Sequence, residues 1–277
     1  MYAFDIERPA TIDEAVAALG GEAQALSGGQ TLIPTLKARL ASPSKLVSLS
    51  GISEMKGIRN EGGALWIGGA TCHGDVAADS SYKALSELAS HIGDPAVRNR
   101  GTIGGSIANN DPAACYPAAA LASGATIITN RREIAADDYF LGMFETALDE
   151  DEIVTAVKFP IPEKANYQKF VQPASRFALV GVFVAKTAQG VRVAVTGASN
   201  EGVHRWTAAE EAFSANFAAS ALDGLTVSAD NMISDLHGSA EYRAGQGHDR
   251  TRGNRGFLRG ENLHEGPAIW WGLWCFR

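Results

Sequence analysis

The sequence predicts an α+β fold, an N-terminal unit in which strands and helices alternate followed by a smaller unit of strands with helices after them. Up to about Ala125, strand-like apolar runs alternate with runs of helical period, the pattern of a chain that returns over a sheet through helices. Beyond Ala125 the periodic runs become strands in succession, with helices only later. A chain of 277 residues, 45% of them hydrophobic and 20% charged, is large enough for about two cores. The predicted boundary between the units falls at Pro173 to Arg176, giving 1–174 and 175–244, with 245–277 as an atypical tail.

"TIDEAVAALGG" opens the helical pattern. Thr11 and Glu14 form a capping box, Ile12, Ala15, Val16 and Leu19 share a face, and Gly20 or Gly21 ends the helix. "AQAL" reads as a short strand. After the turn Ser27-Gly28-Gly29-Gln30, Pro34 sits where a first helical turn tolerates it; Leu32, Ile33, Leu36 and Leu40 supply an apolar face before the strand "KLVSL". "ALWIGGAT" is a strand and "YKALSELASHI" a helix with Leu85, Leu88, Ala89 and Ile92 on one side. Then come "RNRGTIGGSIANND", the helix "PAACYPAAAL", and the strands "TIIT", "EIVTAVKF", "NYQKFVQ", "FALVGVFVAK" and "VRVAVTGAS", with the helix "TAAEEAFSANF" after them.

Composition excludes several classes. A net charge of -7 with no basic stripe argues against a general nucleic-acid binder. No apolar run approaches the ~20 residues that span a bilayer. The N-terminus "MYAFDIERPATIDEA" is acidic where a signal peptide is basic and then apolar, so a cytoplasmic chain is expected. Cys72, Cys115 and Cys275 stand far apart, without the C-x-x-C spacing of zinc or iron–sulfur sites, and read as incidental thiols, as His73, His91 and His204 read as incidental histidines.

Two Gly-Gly pairs stand out. A helix N-terminus has free N–H groups and a partial positive charge, so a glycine loop leading into it can wrap a phosphate. Gly28-Gly29 has neither the Walker ending nor the G-x-G-x-x-G spacing, and alone reads as a tight turn rather than a binding loop. Around Gly104-Gly105, the side chains of Thr102, Ser106, Asn109 and Asp111 offer hydroxyl, amide and carboxylate groups suited to phosphate and sugar-like hydroxyls together. Asp111, beside Pro112, could equally cap the following helix.

In this order and spacing, "SGGQTLIPTLKARLASPSKLVSL", "IGGATCHGDVA", "RNRGTIGGSIANNDPAA", "DEIVTAVKFP" and "GASNEGVHRWTAAEEA" resemble the FAD-binding medium subunit of molybdenum hydroxylases, the family of carbon monoxide and xanthine dehydrogenases. The resemblance runs from Met1 to about Ala244. It implies a two-lobed FAD-binding domain of the PCMH/VAO-like type and one FAD held by both glycine loops: Ser27, Gly28, Gly29, Gln30, Thr31 and the adjoining Leu32, then Thr102, Ile103, Gly104, Gly105 and Ser106, with Asn109 nearby. Asp111 falls at the family's ribityl-contacting acid, Ile153 and Val154 where apolar residues pack on the isoalloxazine, and Lys169 near the flavin. Phe177 falls at an aromatic of the flavin face. Phe177, Ile153 and Val154 read as readily as ordinary core residues.

The resemblance also implies partners: a large subunit with a molybdenum pterin and a small subunit with two-iron, two-sulfur clusters, in a dimer of heterotrimers that hands electrons to an external acceptor. No nucleophile–base pair or metal cluster can be assembled from this chain, so no catalytic or metal residue is assigned to it. A free-standing flavin oxidase and a FAD-free scaffold subunit are the rival classes.

The tail departs from the family. From Gly245 it reads "GQGHDRTRGNRGFLRGENLHEGPAIWWGLWCFR", with seven glycines and neither helical nor strand period. Allowed codons for its first ten residues, read one base later, give Val-Lys-Val-Met-Thr-Ala-Arg-Ala-Val-Thr, an amphipathic helix. A frameshifted tail is therefore expected; a basic interaction arm is the alternative.

Overall fold

The computed structural model describes residues 1–253. The first lobe comprises β1 (Asp5–Glu7), α1 (Ile12–Ala18), β2 (Ala23–Leu26), α2 (Leu32–Lys37) and β3 (Lys45–Ser48), its strands forming a parallel sheet in the order β1-β3-β2. The predicted capping box is present: Thr11 Oγ1 accepts from the Glu14 N–H, and Glu14 reaches back to the Ala10 N–H. Ala15 and Ala18 then pack on Val47, Leu49, Ile52 and Met55. Leu40, expected on the apolar face of α2, is instead 80% exposed, because the helix ends at Lys37 and Arg39 turns left-handed at φ 59°.

The second lobe runs β4 (Ile58–Glu61), β5 (Ala64–Gly68), α3 (His73–Ala78), α4 (Lys83–Ser90), α5 (Pro95–Arg98), α6 (Ile103–Asn109), α7 (Tyr116–Ser123), β6 (Thr126–Thr129), β7 (Glu133–Ala135), α8 (Ala136–Tyr139), the small hairpin β8 (Phe140–Gly142) and β9 (Glu145–Thr146), and β10 (Val154–Pro160). Its sheet is antiparallel in the order β4-β5-β10-β6-β7. The last unit is an antiparallel meander of β11 (Lys164–Val171), β12 (Ala178–Thr187), β13 (Gly190–Ser199) and β14 (Gly202–Arg205), with α9 (Thr207–Ala215) and α10 (Ala240–Gly253). Side chains of a strand alternate between faces, and both faces of β12 are covered. Phe183 and Ala185 join the core of the second lobe with Tyr116 and Ala120; Val180, Val182 and Val184 face Ala209, Phe213 and Leu222.

Two expectations change. Strand β11 lies before the expected boundary at Pro173 to Arg176, yet it pairs along its length with β12, so the change of sheet falls between Pro160 and Lys164. Strand membership follows hydrogen bonding, which the local sequence does not display. The tail, read as non-helical from Gly245, continues α10 to Gly253, with Arg243, Ala244, Gly247 and Thr251 buried. Packing of one face outweighs the low propensity of its glycines. The rest of that expected tail, and Cys275, lie outside the described residues. Among the described residues no helix is long and apolar enough to cross a membrane.

Candidate functional site

A cavity of about 650 Å³ opens where the three sheets meet. Ser27, Gly28, Gly29, Gln30, Thr31 and Leu32 line it from the β2–α2 turn; Thr102, Gly104, Gly105, Ser106, Asn109 and Asp111 line it from α6 and its flanks. Ile153 and Val154, ahead of and at the start of β10, and Lys169 and Phe177, from the β11–β12 hairpin, complete the predicted set. Ile103 alone is absent from the wall: it is fully buried in the second-lobe core, since the start of α6 turns it inward.

The two glycine loops touch each other. Ser27 Oγ and Thr102 Oγ1 share a hydrogen bond of 2.8 Å, and Thr102 also caps α6 by accepting from the Gly105 N–H at 3.2 Å. Gly28 lies on the backbone of Arg100 and Gly101; a Cβ there would overlap the Arg100 carbonyl and stand 2.7 Å from Gly101 Cα. Gly29 has φ +70°, a left-handed conformation that glycine adopts freely. Gly104 packs on Gly69 at the end of β5, where a Cβ would stand 2.6 Å from the Gly69 carbonyl oxygen.

Donor accounting separates the loops. The N–H groups of Ile103, Gly104, Gly105 and Ser106 donate to Thr71 O, Gly69 O, Thr102 Oγ1 and Thr102 O at 2.9–3.2 Å. The N–H groups of Gly28, Gly29, Gln30, Thr31 and Leu32 meet no acceptor among the described residues. The first loop therefore offers the free backbone donors, while the second offers side chains. One of these is Asp111, whose Oδ1 accepts from the Ala113 N–H at 2.8 Å. It closes a turn rather than capping α7, whose N-cap is Cys115 with no side-chain cap. Burial raises the Asp111 carboxyl above its ordinary range, against the pull of that N–H.

Ile153 and Val154 are buried wall residues that are also part of the core, so their two readings coincide. Phe177 is 46% exposed on the cavity rim, not a core ring. Lys169 donates from Nζ to the His91 carbonyl at 2.9 Å. His73, read from the sequence as an incidental histidine, also lines the cavity. It is 5% exposed, its ring centroid lies 5.3 Å from that of Tyr116, and Nδ1 has no partner among the described residues. Burial, with Arg98 nearby, lowers its pKa to about 4, so the ring is neutral at physiological pH. Glu152, also missed, lies beside Ile153; the Arg132 guanidinium, with help from the Asp149 N–H and the Thr129 hydroxyl, holds its carboxyl down to about 2 against burial. Neither could have been found from spacing, because their neighbours come from remote segments.

Residues 2–162 match the model of the FAD binding domain in molybdopterin dehydrogenase. The carbon monoxide dehydrogenase medium chain of Hydrogenophaga pseudoflava is 32% identical over 87% of this chain and 91% of that one. The nicotine 6-hydroxylase medium subunit of Paenarthrobacter nicotinovorans is also 32% identical, over 86% and 90%. A chain of the reconstituted CO dehydrogenase from Oligotropha carboxidovorans superposes with a TM-score of 0.86 at 30% identity, covering 94% of this chain and 99% of that one. The match over more than half of the sequence, with similarity to medium chains over most of their length, shows that this chain belongs to the FAD-binding subunits of the molybdopterin dehydrogenase family and is an oxidoreductase subunit.

Proposed function

We propose that the chain is the electron-exit subunit of a carbon monoxide dehydrogenase-like molybdenum hydroxylase, taking electrons from iron–sulfur clusters in a small partner subunit and passing them to an external acceptor. The observation that carries the reading is the run of free N–H groups from Gly28 to Leu32 on a cavity whose other wall presents Ser106, Asn109 and Asp111. Such a wall fits FAD: backbone donors suit its pyrophosphate, and the hydroxyl, amide and carboxylate suit its ribityl chain. Bound FAD supplies a centre that accepts electrons singly and releases them in pairs.

The chain's own residues do the holding. Ser27, Gly28, Gly29, Gln30 and Thr31 bind the pyrophosphate through the backbone. Gly104 and Gly105, with Thr102 as their cap, keep α6 close enough for Ser106, Asn109 and Asp111 to reach the same ligand. Ile153 and Val154 exclude water from the ring, Phe177 covers the rim, and Lys169, anchored on the His91 carbonyl, lines the same cavity. A molybdenum pterin in the large partner subunit would supply the substrate oxidation, in a cytoplasmic dimer of heterotrimers; relatives equally similar to this chain are the medium chains of carbon monoxide and nicotine enzymes, so the substrate is set elsewhere.

The test is to purify the chain, record its visible spectrum and precipitate it with acid, then mix the flavin-loaded protein anaerobically with candidate substrates in the presence and absence of the large and small subunits. Yellow colour in the supernatant and bleaching that requires both partners are expected. Bleaching by substrate without partners would identify a free-standing oxidase, and a colourless chain that takes up no FAD a scaffold.

A further inference from the structure

The turn joining β6 to β7 is stitched to the loop before β10 beside the cavity. Asn130 and Ile153 exchange two hydrogen bonds: the Ile153 N–H donates to Asn130 Oδ1 at 2.7 Å, and the Asn130 N–H donates to the Ile153 carbonyl at 3.1 Å. One residue earlier, the Glu152 carboxylate takes four donors. Oε1 accepts from Thr129 Oγ1 at 2.6 Å and Arg132 Nε at 3.1 Å; Oε2 accepts from Arg132 Nη2 at 3.0 Å and the Asp149 N–H at 2.9 Å. The Glu152 side chain is wholly buried, and with every acceptor site engaged it has none left for a ligand. Only the carboxylate end of the pair is buried, the Arg132 side chain being 46% exposed, so the pair itself adds little stability, but a fully hydrogen-bonded buried carboxylate fixes geometry. What this one fixes is Ile153, which lies on the cavity wall.

We propose that Asn130, Glu152 and Arg132 form a positioning clasp that presets Ile153 in the wall, so that the flavin ring meets an apolar surface already in place. The proposal rests on the reading of the cavity as the FAD site. Preorganisation of this kind acts on affinity by removing the ordering cost from the binding step.

The experiment titrates the flavin-free full chain with FAD, following flavin fluorescence and the fine structure of the visible band, for the wild type, Asn130→Ala, Ile153→Ala and the double variant. Asn130→Ala leaves the Glu152–Arg132 pair intact and is the variant expected to fold; Glu152→Gln is run beside it with thermal melts. Asn130→Ala should weaken FAD binding about tenfold and blur the fine structure. The double variant should bind as Ile153→Ala does, because Asn130 acts through Ile153. Additive losses, or Asn130→Ala binding within about twofold of wild type with an unchanged spectrum, would overturn the clasp. A wild-type chain that takes up no FAD would refute the cavity reading, and the clasp with it.

Discussion

Gly104 and Gly105 are neighbours with opposite tolerances. A Cβ at Gly104 meets backbone, the Gly69 carbonyl and Cα at 2.6 and 2.8 Å, and Gly69 is itself pressed on the Val154 carbonyl, so neither side can yield locally. At Gly105 the nearest atom is the Thr102 hydroxyl at 3.0 Å, a contact that a few tenths of an ångström relieve without breaking its hydrogen bonds to Ser27 and the Gly105 N–H. Gly104→Ala should therefore lower Tm by roughly 5–10 °C and reduce flavin content, whereas Gly105→Ala should stay within roughly 2 °C of wild type; differential scanning calorimetry with flavin quantitation separates them. His73 carries a pH signature. Its folded pKa of about 4 lies below the ordinary value of 6.5, so between these the unfolded chain binds more protons and stability falls as pH falls. The contribution is fully present above about pH 6.5 and lost toward pH 4, a span of about 3 kcal/mol. His73→Leu should flatten that part of a urea-denaturation profile while leaving stability at pH 8 nearly unchanged, since Nδ1 gives up no partner. A variant with the wild-type slope would exclude His73 as its source.

At the scale of elements, α6 is set by a short bridge. Cys72 pairs with Thr102, the Ile103 N–H reaches the Thr71 carbonyl, and the His73 N–H reaches the Gly101 carbonyl, which aligns the second glycine loop against the entry to α3. The final helix shows how one residue can reverse a local signal. Fully buried Arg243 donates from Nη1 to the Leu179 and Gly197 carbonyls at 2.9 and 2.7 Å, and from Nη2 to Asp235 at 2.7 Å, fixing α10 across β12 and β13. Removing the guanidinium leaves the two carbonyls unpaired, at a cost of about 3 kcal/mol or more. Arg243→Ala should lower Tm by roughly 10 °C and expose α10 to limited proteolysis at native temperature; uncut protein with an unchanged Tm would show that the clamp is dispensable. The local text of this helix, rich in glycine, pointed away from helix because the two carbonyl partners stand 64 and 46 residues away along the chain.

For the whole molecule, the cavity exists only because three sheets converge, with loops from the first two and Lys169 and Phe177 brought by the third. Binding there should stabilise the entire chain, since residues of each unit line the cavity in the folded state alone. FAD at about 100 times its Kd corresponds to about 2.7 kcal/mol and should raise Tm by roughly 5–10 °C as one transition; a melt in which FAD leaves Tm unmoved would refute the site. By itself the sequence determined the elements whose signals are local. The α1 capping box, the continuous apolar run of β12 and the glycine turn after β2 each depend on residues a few positions apart, as propensity and periodicity do. Motif order and spacing also carried the family. The tertiary structure alone decided the rest: β11 joined the last sheet, Ile103 turned into the core, the Ile103 and Gly104 N–H groups were consumed by Thr71 and Gly69, and His73 and Glu152 entered the cavity wall. Each of those outcomes depends on partners brought close only by folding, and hydrogen bonding, desolvation and packing act between neighbours in space, whatever their separation along the chain.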